Sequence, residues 1–220
     1  MSKKAISATL AAMAMLTGMQ NAVAADNLFK TYAYDAPIAK YTGVAGYYDC
    51  TADIGAPARC VDDVDFLDQK FTVALVFSSD KLASVSLFAP YDRDLYARVL
   101  GALAKTFTLV ALTDGKSVLD LVDTARKTKN KDDYTAKLTN YESVALAANG
   151  LTYSFVEGLT LDKAATNLQS LLRSAPANVR GADLVISGAD DESSIIINFS
   201  FPKLDEDKLV QQAQKPVESF

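Results

Sequence analysis

The sequence predicts an α+β fold: an antiparallel sheet built from ββα units, with helices laid on one face. Three observations carry that reading. Runs of β-prone residues come in adjacent pairs, each pair is followed by apolar residues at helical spacing, and Pro, Asn-Gly or acidic turns punctuate the joins. Half of the 220 residues are hydrophobic and 22% are charged, ordinary fractions for a globular chain, so disordered, collagen-like and coiled-coil classes fall away.

Residues 1–24 read as a signal peptide. Lys3 and Lys4 form a positive start, Ala5 to Met19 is a small-residue apolar stretch, and Ala22-Val23-Ala24 supplies the small-x-small cleavage pattern. Ser, Thr, Gly, Gln and Asn interrupt that stretch, which makes it a poor membrane anchor. Residues 25–220 are then expected to form a single exported α+β domain, and Asn130 marks where a division into two lobes would fall. The expected compartment is the periplasm, with secretion to the medium as the alternative. Cys50 and Cys60 are the two cysteines, an even pair in an exported chain, so a structural disulfide is expected. Gly55 and Pro57 allow the enclosed segment to turn back, and C-x-x-C redox spacing is absent.

Along the chain, Asp26 to Asp65 shows no sustained period. Phe71 to Phe77 and Leu82 to Phe88 predict a hairpin across Ser78-Ser79-Asp80-Lys81. Pro90 ends it, and Asp92 is placed to cap a helix carrying Leu95, Val99, Ala102 and Leu103 on one stripe. A strand over Phe107 to Leu112, a helix near Ser117 to Lys127 and an exposed connection from Lys127 to Asp133 follow. Val144, Leu146 and Ala148 alternate into Asn149-Gly150, and Leu151, Tyr153 and Phe155 alternate out. That favours a second hairpin over a helix from Tyr134 to Ala148 capped at Gly150. Leu161 to Ala175 has a helical stripe stopped by Pro176. Ala182 to Gly188 pairs with Ile195 to Phe201 across an acidic turn, and a short polar helix over Asp205 to Gln214 closes the chain.

Composition excludes several chemistries. With no His and two Cys, a His-containing triad, a His-ligated zinc site and a multi-Cys cluster are impossible. The formal charge of −5 and pI near 4.8 give phosphate backbones no attraction, so no nucleic-acid partner is expected. Loss of Lys3 and Lys4 with the signal makes the mature chain more acidic still, and no stable membrane insertion is expected after cleavage. Ser78-x-x-Lys81 has the spacing of penicillin-binding enzymes, but it lies between two strands and lacks their companion motifs. Asp62, Asp63, Asp65 and Asp68 do not keep the register of a calcium loop and read as a solvated acidic loop. No catalytic residue, metal site or cofactor is assigned.

One feature stands out. Tyr32, Tyr34, Tyr41, Tyr47 and Tyr48 crowd a short segment with Gly43, Gly46 and the cysteine pair. Tyr gives large amphipathic contact area at small entropic cost, so these five are the candidate partner-binding residues. The competing role is packing over the sheet, with hydroxyls reaching water. The function expected is an exported, non-catalytic protein-binding module, in its most concrete form an inhibitor or immunity factor of an envelope-acting enzyme. Its partner would be another exported or envelope protein of basic character. The alternatives are a cell-wall hydrolase that works without His and a carrier of a small apolar ligand.

Overall fold

The computed structural model describes residues 26–148, 150–159, 165–188 and 193–213. The expected signal peptide of residues 1–24, Asn149, Leu161, Ala164, the expected acidic turn at Asp190-Asp191-Glu192 and Gln214 lie outside the described residues.

The fold is α+β. Among the described residues nine strands form one sheet: β3 (Tyr48–Asp49), β4 (Ala58–Phe66), β5 (Gln69–Ser78), β6 (Lys81–Pro90), β7 (Phe107–Thr113), β8 (Val118–Asp120), β9 (Gly150–Glu157), β10 (Gly181–Ser187) and β11 (Ser194–Ser200). Their spatial order is β3-β4-β5-β6-β11-β10-β9-β7-β8, and every neighbouring pair is antiparallel. A separate ribbon pairs β1 (Asn27–Phe29) with β2 (Tyr32–Ala33).

The expected hairpin of β5 and β6 is present. Ser79 and Asp80 join it with φ of 50° and 61°, the two positive values that a type I′ turn requires. Leu67 and Asp68 join β4 to β5 in the same way. The β10–β11 pair also lies where the two β-prone runs predict it. Asp92 caps α2 (Arg93–Leu103) by accepting from the Leu95 N–H at 2.7 Å, and Leu95, Val99 and Leu103 are buried on its inner stripe. Pro202 opens α6 (Pro202–Ala213), a first-turn position where its missing N–H costs nothing.

Side-chain alternation divides the sheet into two unlike faces. One face buries Phe71, Val73, Leu75 and Phe77 of β5 together with Ile195, Ile197 and Phe199 of β11, and is closed over by α2 and the β1–β2 ribbon. Each such side chain contributes ~1.5–3 kcal/mol by leaving water, so this core holds the fold. On the opposite face the middle strands carry half-exposed residues such as Thr72, Phe88, Ile196, Asn198 and Asp183. Among the described residues that face is closed only at its ends. The disulfide with α1 (Thr51–Ile54) packs on Ala58 and Ala74 at one end, and Leu171 of α5 (Leu168–Ser174) packs with Val110 and Val156 at the other.

Several expectations are corrected. The hairpin at Asn149-Gly150 is not formed, because α4 (Lys131–Ala147) runs to that point and only β9 follows as a strand. Val144 and Leu146 are solvent-exposed on α4 at 61% and 41%, so their alternation with Ala145 reflected exposure on a helix and not a buried strand face. The connection expected over Lys127 to Asp133 is shorter than expected: α3 ends at Lys127 and α4 takes up Lys131 to Asp133, with Asn130 as its cap. The helix expected near Ser117 begins instead as strand β8, and Asp120 starts α3 (Leu121–Lys127) by accepting from Val122 and Asp123 N–H. Among the described residues, the helix expected over Leu161 to Ala175 is α5, which begins at Leu168 behind the Asn167 capping box. The segment from Asp26 to Asp65 contains all but the last residue of the nine-residue strand β4. Helices do not keep to one face: α2 serves the main core, α5 lies on the other face, and α3 gives Leu121 to the first and Val122 to the second.

Candidate partner-binding surface

The five tyrosines separate into three environments. Tyr34 and Tyr41 are core residues, exposed at 8% and 4%. Tyr34 packs edge-on against Phe201 with centroids 5.3 Å apart, and its hydroxyl donates to Asp205 on α6 at 2.7 Å. Burial and that bond to a carboxylate push the phenol well above its usual range. Tyr41 stacks at a tilt on Phe77, 6.0 Å away, and its buried hydroxyl has no hydrogen-bond partner among the described residues. Tyr32 and Tyr47 are half-buried beside it, with their hydroxyl oxygens 3.3 Å apart. Tyr48 alone of the five is exposed, at 44%.

Local geometry explains the split. Gly43 and Gly46 take φ of 70° and 90°, which lets the chain turn tightly around Val44 and Ala45, and the Tyr47 N–H donates to the Val44 carbonyl. Val44 is left at the tip, 44% exposed. The chain then enters β3, where successive side chains point to opposite faces. Tyr47 returns to Tyr41 on the core side, at 5.3 Å between rings, and Tyr48 points to the open side.

The scaffold beneath Tyr48 is tied together at several points. Tyr48 pairs with Cys60 across β3–β4, and the Cys50–Cys60 disulfide closes the loop between them with Cα atoms 5.8 Å apart. Asp49 accepts from the Thr51 N–H to begin α1 and pairs with Arg59 at 2.8 Å. The bonds from Thr51 and the nearby guanidinium hold its carboxyl below the usual range. The Tyr48 hydroxyl donates to Asp62 at 3.0 Å, and Thr72 donates to the same carboxylate at 2.7 Å. Partial desolvation, the bond to Asp62 and the charges of Asp62 and Asp53 raise the Tyr48 phenol.

The acidic run is not a loop. Asp62, Asp63 and Asp65 lie on β4 and Asp68 in the turn after it. β3 pairs only with Arg59 and Cys60, so the outer edge of β4 beyond them has no partner strand among the described residues. Charges, and the irregularity between Val61 and Val64 where Asp63 has φ 59°, are the devices that keep an exposed edge from recruiting another strand. Asp53, Asp63 and Asp68 make no side-chain hydrogen bond or ion pair among the described residues, so their charge is available to an approaching partner.

One polar cluster gave no sequence signal. Glu142 of α4 accepts hydrogen bonds from Tyr96 of α2 and Tyr153 of β9, whose hydroxyls are 2.6 Å apart. Burial and the Glu142 carboxylate raise the Tyr153 phenol. This is a satisfied network that fixes α2 and α4 on the sheet. Among the described residues no group of three or more His, Cys, Asp or Glu is placed to hold a metal ion, and no helix is long and apolar enough to cross a membrane. Compared with family models, curated proteins and solved structures, the chain matches none.

Proposed function

We propose that this is an exported, non-catalytic protein-binding module acting in the periplasm. Its partner surface is the Val44–Tyr48 tip with the acidic β4 edge. The observation that carries the reading is Tyr48: an exposed ring on a disulfide-stapled strand, on a surface where Asp53, Asp63 and Asp68 make no ion pair among the described residues. A pre-ordered aromatic anchor loses little entropy on binding, and unpaired acids at its rim speed encounter with a basic partner. An inhibitor or immunity factor of a basic envelope-acting enzyme is the concrete form of this proposal. The disulfide supports an oxidising compartment, in keeping with the expected signal peptide.

The test is capture from an envelope extract at low and high salt, with the wild type beside Tyr48→Ala and an Asp53→Asn/Asp63→Asn pair. The reading expects one basic protein retained by the wild type, released by salt and lost with Tyr48→Ala. Equal capture by all three proteins would refute it.

A further inference from the structure

Direct cross-strand pairs share a face, so a single row can be followed across the sheet. Ser86 pairs with Asn198, Asn198 with Asp183, and Asp183 with Ser154. This row lies on the open face, between the disulfide cluster at one end and the α5 cluster at the other. Ser86 is buried at its floor, while Asn198, Asp183 and Ser154 are half-exposed. The next row is a more apolar ridge of Phe88, Ile196 and Val185.

Asp183 is out of place in such a row unless something meets it. It sits on an inner strand, and its pairing, diagonal and same-strand neighbours on this face are all uncharged: Asn198 and Ser154 across, Gly181 and Val185 along. Burial pushes its carboxyl above the usual range, opposed only by the hydrogen bond from Ser154. A half-buried carboxylate without a cation costs free energy that Asn or Ser in its place would not. The flanking Ser and Asn side chains both donate and accept, as needed to meet a peptide backbone. From Ser86 to Ser154 the row crosses four strands, ~14 Å, which matches about four extended residues.

We infer that this row is a second binding site, in which an extended segment of the partner lies along the open face and sets a lysine or arginine side chain on Asp183. The site deepens the binding-module reading but does not depend on the Val44–Tyr48 tip. A metal ion is a poor occupant, since one carboxylate supplies too few ligands.

The experiment is an NMR titration of the full mature protein with a capped Val-Lys-Val-Arg-Val peptide. A control peptide carries norleucine at both cationic positions. The expected result is saturable amide shifts at Ser86, Asn198, Asp183 and Ser154, absent with the norleucine peptide and weakened about tenfold in Asp183→Asn. Tyr48→Ala should leave these shifts in place, which separates this site from the tip. Shifts confined to the Asp53, Asp63 and Asp68 edge, or equal binding of the norleucine peptide, would overturn the inference. Should Asp183→Asn fail to fold, the norleucine comparison on the wild type still decides it.

Discussion

Tyr48 and Asp183 stand on the same face of the sheet and in the same cross-strand row, with Cys60, Ala74, Ser86 and Asn198 between them. The exposed ring and the half-buried carboxylate therefore look out on one side, while Tyr34 and Tyr41 are buried on the other. A tyrosine-rich segment that reads as one feature in sequence is thus divided between stability and surface.

That division is testable at Tyr41. Removing only its unpartnered hydroxyl, in Tyr41→Phe, should stabilise by about 1 kcal/mol, whereas Tyr41→Ala should cost about 3–5 kcal/mol through the cavity left beside Phe77. Urea unfolding of both variants measures it. A destabilised Tyr41→Phe would reveal a buried partner for the hydroxyl, such as a water.

The disulfide should matter to the β3 edge and to global stability. Closing the loop between Cys50 and Cys60 stabilises by roughly 3 kcal/mol in the chain-entropy model. Unfolding midpoints with and without reductant should differ accordingly, and amide exchange should rise first at Tyr48 and Asp49. No change in either would mean that β3 is held by its other contacts.

Asp183 predicts a direction of pH dependence. Its folded-state pKa lies above the unfolded value, so the folded state binds the proton more tightly. Stability from this group is present at acid pH and is lost as pH rises from the unfolded pKa through the folded one. Asp183→Asn cannot ionise, so its advantage over the wild type should grow from acid towards neutral pH and then level off. Parallel urea titrations across that range check this. An advantage that shrinks with rising pH would place a cation on Asp183 within the fold itself.

Ser79 and Asp80 both take positive φ, a conformation that costs non-Gly residues about 1 kcal/mol or more each. Replacing the exposed pair with Asn-Gly should stabilise by roughly 1 kcal/mol, read as a raised Tm. A lowered Tm would show that these side chains serve the turn in another way.

A strand such as β5 was legible because its buried face, Phe71, Val73, Leu75 and Phe77, leaves a period of two in the chain, and β10 and β11 because both are β-prone runs. β4 was not, since its outward positions carry Asp62 and Asp65 and the irregularity near Asp63 shifts the period midway. The end of α4 misled for the converse reason, with Val144 and Leu146 apolar yet exposed. At the candidate surface, residue type marked the segment but not which rings face out. That depends on the Gly43–Gly46 turn and the parity of β3, both properties of the paired backbone. Asp183 carries no mark in the sequence, because its setting is created by Asn198 and Ser154, distant along the chain.

The central claim is that the Val44–Tyr48 tip contacts a protein partner. Its most direct measurement places a photo-crosslinking amino acid at Val44 or Tyr48, with a control at exposed Lys116 on the β7–β8 turn, in cells exporting the protein. The account predicts one dominant adduct from the two tip positions, with a basic protein, abolished when high salt precedes irradiation. No adduct from the tip, or the same adduct with equal yield from position 116, would contradict it.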